Sequence, residues 1–261
     1  MKGSWDARIE RADYLAPKND ATKELLIFYG QLLRVQKEIY EYLHRPDRLL
    51  TGTLEEDLPR IRAMLPELLR RVEASGPVAL REQAQTLLRM SDAERDEMLL
   101  EQWYAPLDVQ FFAKAFLQPY AQWLAESGAR LIGRVREGGP GRCPFCAGKP
   151  QLSTLQAVEA APESGGRRLT CATCLSVWTF RRVVCANCGE ERPAQLGYFH
   201  SPEYDHIRIE ACDTCRHYTK GIDLTRLGLA VPLVDEVAAA PLDLWAREHG
   251  YQKIELNLVG L

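Results

Sequence analysis

Four Cys-x-x-Cys pairs, at Cys143/Cys146, Cys171/Cys174, Cys185/Cys188 and Cys212/Cys215, contain all eight cysteines and constrain what the second half of the chain can become. Two residues between cysteines let one tight turn aim both sulfurs at a single ion, with backbone amides free to donate to the sulfurs. The pairs are separated by 24, 10 and 23 residues, and the pattern repeats, with 42 positions from Cys143 to Cys185 and 41 from Cys171 to Cys212. This repeat predicts a tandem of two similar units, each closing its own tetrathiolate site; an interleaved cross-brace is the other arrangement the spacing permits.

About 75 residues of strand and turn bury too little surface to fold comfortably alone, and a structural tetrathiolate ion supplies about 10–16 kcal/mol of apparent binding free energy to that folding. Four thiolates leave no coordination position open for a substrate water, so a structural role is the base reading. Iron is the sharper alternative to zinc, because a tetracysteine iron centre of rubredoxin type passes single electrons. A thioredoxin-like dithiol is the weaker reading, since one reactive pair would suffice and would precede a helix. His200, His206 and His217 lie near the second unit, but four cysteines per site leave them surface or supporting roles.

Residues 1–137 contain no cysteine and read as a helical domain. Between Asp20 and His44 the apolar positions recur at three- and four-residue spacing, and further helical stretches run near Leu58 to Val72 and Val78 to Met90. Ser91 followed by Glu94 forms a capping box that opens a fourth helix. The segment from Leu107 to Val135 carries a core-facing aromatic stripe around Phe112, Phe116 and Tyr120, with Pro119 as a kink. Gly138-Gly139-Pro140-Gly141 then breaks every periodic pattern. The expected organisation is α+β, with the helical domain at 1–137, ribbons at 142–182 and 183–222, and a mixed segment at 223–261 packing on them. Short helices at Val231 to Ala239 and Pro241 to His249, and a strand over Lys253 to Val259, complete it. Loss of metal is expected to unfold the part beyond Gly141 and leave the helices standing.

A formal net charge of -3 supplies no global attraction for nucleic acid. From Cys143 to Lys220 nine basic residues face eight acidic ones, and eight thiolates around two divalent ions would add about −4, which makes a poor phosphate clamp. The charged N-terminus lacks the apolar run of a signal peptide, and no stretch approaches the roughly 20 apolar residues a spanning helix needs. The expectation is a cytoplasmic protein with no nucleic acid partner and no membrane insertion. No nucleophile motif, phosphate loop or HExxH pattern is present, so the sequence reads as a non-enzyme.

The residues resemble a known family, the formate dehydrogenase accessory proteins of the E type. The likeness lies in Cys143-Pro-Phe-Cys146, in Leu169-Thr-Cys171-Ala-Thr-Cys174 with Trp178 and Arg181, and in Cys185-Ala-Asn-Cys188-Gly189. It continues through Cys212-Asp-Thr-Cys215, Tyr218-Thr-Lys220, Val234-Asp235-Glu236 and Pro241-Leu-Asp-Leu244 to Glu248-His-Gly250-Tyr251. The resemblance implies an assembly chaperone acting on the catalytic subunit of respiratory formate dehydrogenase before export, and rubredoxin-like iron held by the same eight cysteines. A free-standing electron-transfer or iron-delivery protein is the alternative. Ala147 departs from the pattern where a ribbon knuckle often has glycine, which implies a strained turn at the first site. Metal analysis of anaerobically purified protein is expected to give about two ions per chain with all-sulfur ligation, and mixed sulfur and nitrogen ligation in both sites would refute the tandem arrangement.

Overall fold

The computed structural model describes residues 4–45, 50–106, 110–128, 139–157 and 166–261. Pro46, Leu107, Leu131, Val135 and Gly138, on which parts of the helix-end, aromatic-stripe and linker readings rest, lie outside them.

The first half is helical. It comprises α1 (Ser4–Leu15), α2 (Lys23–Leu43), α3 (Leu54–Ile61), α4 (Leu65–Ser75), α5 (Val78–Arg89), α6 (Asp92–Tyr104) and α7 (Phe111–Ser127). The apolar face of α2 buries Leu26, Leu33 and Ile39, and Phe116, Tyr120 and Leu124 of α7 join the same core. Each such side chain contributes about 1.5–3 kcal/mol on burial. The capping box at the start of α6 is complete, with the Glu94 amide donating to Ser91 Oγ and the Ser91 amide to the Glu94 carboxylate. The stretch read as one helix from Leu58 to Val72 is two. A 3-10 turn over Arg62–Met64 divides it, and Pro66 in the first turn of α4 has no amide to continue the preceding ladder. Asp57 is fully buried beneath this half, its carboxylate accepting from the amides of Thr51 and Gly52 and from Tyr120 OH at 2.7 Å.

The second half is a single mixed sheet. Its strands are β1 (Pro150–Gln156), β2 (Gly166–Cys171), β3 (Val177–Thr179), β4 (Leu196–His200), β5 (Ile207–Cys212) and β6 (His217–Asp223), followed by α8 (Pro232–Ala238), α9 (Ala240–Glu248) and β7 (Gln252–Lys253). The order is β3-β2-β1-β6-β5-β4, with β7 added to β6. Within each unit the pairing is antiparallel, whereas β1 and β6 run parallel and weld the two units together. The strand expected over Lys253 to Val259 is limited to β7, because Asn257 Oδ1 accepts from the amides of Val259 and Leu261 and turns the chain.

The two halves share one core, contrary to the expectation that the helices stand without the ribbons. Cys143, Cys146, Cys171 and Cys174 sit in the same apolar cluster as the helices, with Val234 and Val237 of α8 and Leu258. Gln118 of α7 donates to the Ala172 carbonyl at 2.9 Å, Lys114 to the Leu256 carbonyl at 2.6 Å, and Arg11 of α1 grips Asp235 through two bonds of 3.0 and 2.5 Å.

Beneath α8 and α9 lies a buried ionic network. Lys220 of β6 pairs with Asp243, and Lys253 of β7 pairs with Glu236, all four side chains fully buried. Lys220 also donates to the Glu236 carbonyl at 2.5 Å, Tyr218 OH to Asp243 at 2.8 Å and Gln151 to Glu236 at 2.5 Å. Burial pushes the Asp243 carboxyl upward, but Lys220 and Lys253 outweigh it and hold it below the usual carboxylate range. Removing one partner leaves an uncompensated buried charge, so Asp243→Ala is expected to cost about 3–5 kcal/mol at pH 7, read from the urea midpoint. A depressed carboxyl stabilises above its unfolded pKa of about 3.9, so the gap between wild type and variant should narrow as pH falls below about 4.

Candidate metal centres

Each cysteine pair occupies the same turn. In the first, the Cys143 amide donates to the Gly148 carbonyl at 2.9 Å, the Ala147 amide to the Cys143 carbonyl at 2.9 Å, and the Gly148 amide to Cys146 Sγ at 3.4 Å. The third repeats the two backbone bonds, Cys185 amide to Glu190 carbonyl at 2.9 Å and Gly189 amide to Cys185 carbonyl at 3.0 Å, and its Asn187 amide donates to Cys185 Sγ at 3.4 Å as the Thr173 amide does to Cys171 Sγ at 3.3 Å in the second. The second pair starts where β2 ends and the fourth where β5 ends, so each unit runs knuckle, two strands, knuckle, strand. The residue after every second cysteine is left-handed, at φ 58° for Ala147, 58° for Leu175, 79° for Gly189 and 57° for Arg216. Only one of the four is glycine. The strain read at Ala147 is therefore present and recurs at Leu175 and Arg216, at about 1–2 kcal/mol for each residue with a Cβ.

The structure gathers the eight sulfurs into two groups in chain order, Cys143, Cys146, Cys171 and Cys174 in one and Cys185, Cys188, Cys212 and Cys215 in the other. Within each group the ligand atoms lie within 4.8 Å of one another, and none of the eight cysteines is in a disulfide. In the first group Cys143 Sγ is 3.7 Å from Cys174 Sγ and Cys146 Sγ is 3.3 Å from Cys171 Sγ. In the second, Cys185 to Cys215 and Cys188 to Cys212 are both 3.7 Å. A tetrahedral ion with metal–sulfur bonds of about 2.3 Å requires edges of about 3.8 Å, so the donor set and its spacing fit a soft tetrahedral ion.

Electrostatics points the same way. Burial pushes the Cys171 and Cys185 thiols up, and hydrogen bonds from Cys146, Cys171 and Cys174 draw Cys143 down. Sulfurs this crowded cannot all ionise together unless a cation compensates them. Among the described residues no histidine joins either group. His217 Nδ1 lies 2.7 Å from the Cys215 carbonyl, and His206 Nε2 is 3.1 Å from Asp235.

Several supporting residues carried no sequence signal beyond their neighbourhood. Gly148 is one: a Cβ there would lie 2.9 Å from Cys171 Sγ and 3.1 Å from Cys146 Sγ. Arg167 of β2 is another. It crosses from the first unit to the second, donating to the Val184 carbonyl just before Cys185 at 2.8 Å and pairing with buried Glu210 of β5 at 2.7 Å.

Comparisons with known proteins agree with this architecture. Residues 183–259 match the family described as FdhE, C-terminal domain. A protein named FdhE homolog from Aquifex aeolicus is 38% identical over 152 residues, 58% of this chain and 52% of that relative, so the match spans about half the relative's length. A namesake from Haemophilus ducreyi is 26% identical over 98% of this chain and 88% of its own. The crystal structure of the FdhE protein from Pseudomonas aeruginosa superposes with a TM-score of 0.72 at 22% identity, covering 97% of this chain and 94% of that one, and so shares its fold. Among the described residues no helix is long and apolar enough to cross a membrane.

Gly148→Val places a branched side chain among the sulfurs of the first group. It is expected to lower the metal content from two ions per chain to about one, measured by elemental analysis, with the second group keeping its ion.

Proposed function

We propose that this FdhE-family chain is a non-catalytic, cytoplasmic assembly factor that binds the catalytic subunit of a formate dehydrogenase, with Cys143, Cys146, Cys171 and Cys174 holding one metal ion and Cys185, Cys188, Cys212 and Cys215 a second. The observation that carries the reading is the joint between the helical half and the first tetracysteine group, which lie in one apolar cluster. An ion there supports a large helical body, and a small electron carrier needs no such body. Iron or zinc would be held through thiolates alone, and when bound the ion supplies cross-linking of the knuckles or, as iron, a one-electron couple. The chain's own residues do the rest: knuckle amides donate to the sulfurs, and Gly148 leaves room for them.

A second reading, a rubredoxin-like carrier of electrons or iron, is favoured by one observation, the exposed Cys188 at the surface of the second group. The two separate in one experiment. A tagged protein is expected to retain the unassembled catalytic subunit in a pull-down, and replacing Cys171 and Cys174 together by Ser should abolish most of that binding along with part of the helical circular dichroism, because serine oxygen is a poor substitute for thiolate. Absence of any affinity in the wild type, together with ready electron transfer to a soluble acceptor, would replace the chaperone reading with the carrier.

A further inference from the structure

The two cysteine groups have opposite surroundings. In the first, all four residues are at most 5% exposed and their cluster is continuous with the helical core. Gln118 pins the knuckle between Cys171 and Cys174 by its bond to the Ala172 carbonyl, and that side chain is itself buried. An attacking ligand therefore finds these sulfurs covered, with α7 held against the second knuckle. In the second group Cys188 is exposed and Cys215 half-buried, and among the described residues the apolar cluster beside it has Leu169, Ala186 and Ile254 as its buried members.

The two knuckles of the second group are joined by polar contacts. Glu190, just beyond the third knuckle, accepts from Thr214 Oγ1 of the fourth at 2.6 Å and so clips the two knuckles together. The same carboxylate is held by the Arg192 amide at 2.9 Å and the Arg192 guanidinium at 2.7 Å. Arg192 is 70% exposed and Thr214 is exposed, while the Glu190 side chain between them is 9% exposed, so the clip meets water at its donors and opens at lower cost than a packed core.

We propose that the two centres divide the work: the first is a closed structural centre, and the second is the exchange centre, whose ion enters and leaves at the Cys188 edge under control of the Glu190–Thr214 clip. This rests on the two-ion reading above and adds which ion is mobile and what restrains it. Exchange is ligand substitution without redox change: an incoming chelator or protein thiolate forms a bond to the metal as Cys188 Sγ leaves it, and solvent supplies the proton that the departing thiolate takes up.

The test uses the purified full-length protein carrying its two ions, challenged with excess of a chromogenic chelator, with alkylation of the freed cysteines followed by mass spectrometry. Release is expected in two phases of one ion each, the fast one at least about tenfold faster, with Cys188 and Cys215 alkylated in the fast phase and Cys143 and Cys171 only in the slow one. Thr214→Val should accelerate the fast phase severalfold and leave the slow phase and the helical circular dichroism unchanged. Simultaneous release of both ions, or alkylation of the first group before the second, overturns the division. An unchanged fast phase in Thr214→Val, or acceleration of both phases, overturns the clip. A protein that binds fewer than two ions fails the two-ion reading itself, and is told apart by metal content before any chelator is added.

Discussion

The parallel pairing of β1 with β6 holds the second half together. It sets Leu152 opposite Lys220 and Ser153 opposite Gly221, joining two three-stranded units that would each be too small to carry a core. The pairing brings backbones and side chains close. A Cβ on Gly221 would stand 2.5 Å from Glu210 Oε1, so glycine at this position lets the carboxylate lie across the strand to meet Ser153 and Arg167. One continuous sheet then has a face for α8 and α9, packed through Leu152, Ile209, Tyr218 and Leu242.

That sheet uses buried charge where a larger protein would use more hydrocarbon. Arg167 with Glu210, Lys220 with Asp243 and Lys253 with Glu236 tie strand to strand and strand to helix. Such pairs add little net stability over an apolar filling, and their geometry admits few alternatives. They are a source of register: a one-residue slip of β6 would carry Lys220 to the other face, away from both Asp243 and the Glu236 carbonyl.

The cysteine spacing made the two groups and their members readable, because a knuckle is a local object whose ends lie three residues apart. The same holds for α2, whose apolar positions repeat along one face, and for the Ser91–Glu94 cap. What could not be read is long-range. Nothing local in Leu152 or Lys220 announces their pairing across the intervening chain, and Arg167, Glu210 and Lys220, counted in the sequence as ordinary module charge, are buried. The left-handed residues at Leu175 and Arg216 were hidden for a related reason: neither is the glycine that usually signals the conformation, and the turn around the sulfurs imposes it. The break that follows Ile61, where Arg62–Met64 interrupts a periodic run, shows periodicity surviving a change of helix.

Leu258 and the α8 residues Val234 and Val237 belong to the apolar cluster of the helical half. A ribosome delivers the helices first and these three positions much later. The early helices are therefore made while three members of their apolar cluster are still missing. The apolar cluster that holds the first cysteine group is therefore complete only when these late side chains arrive.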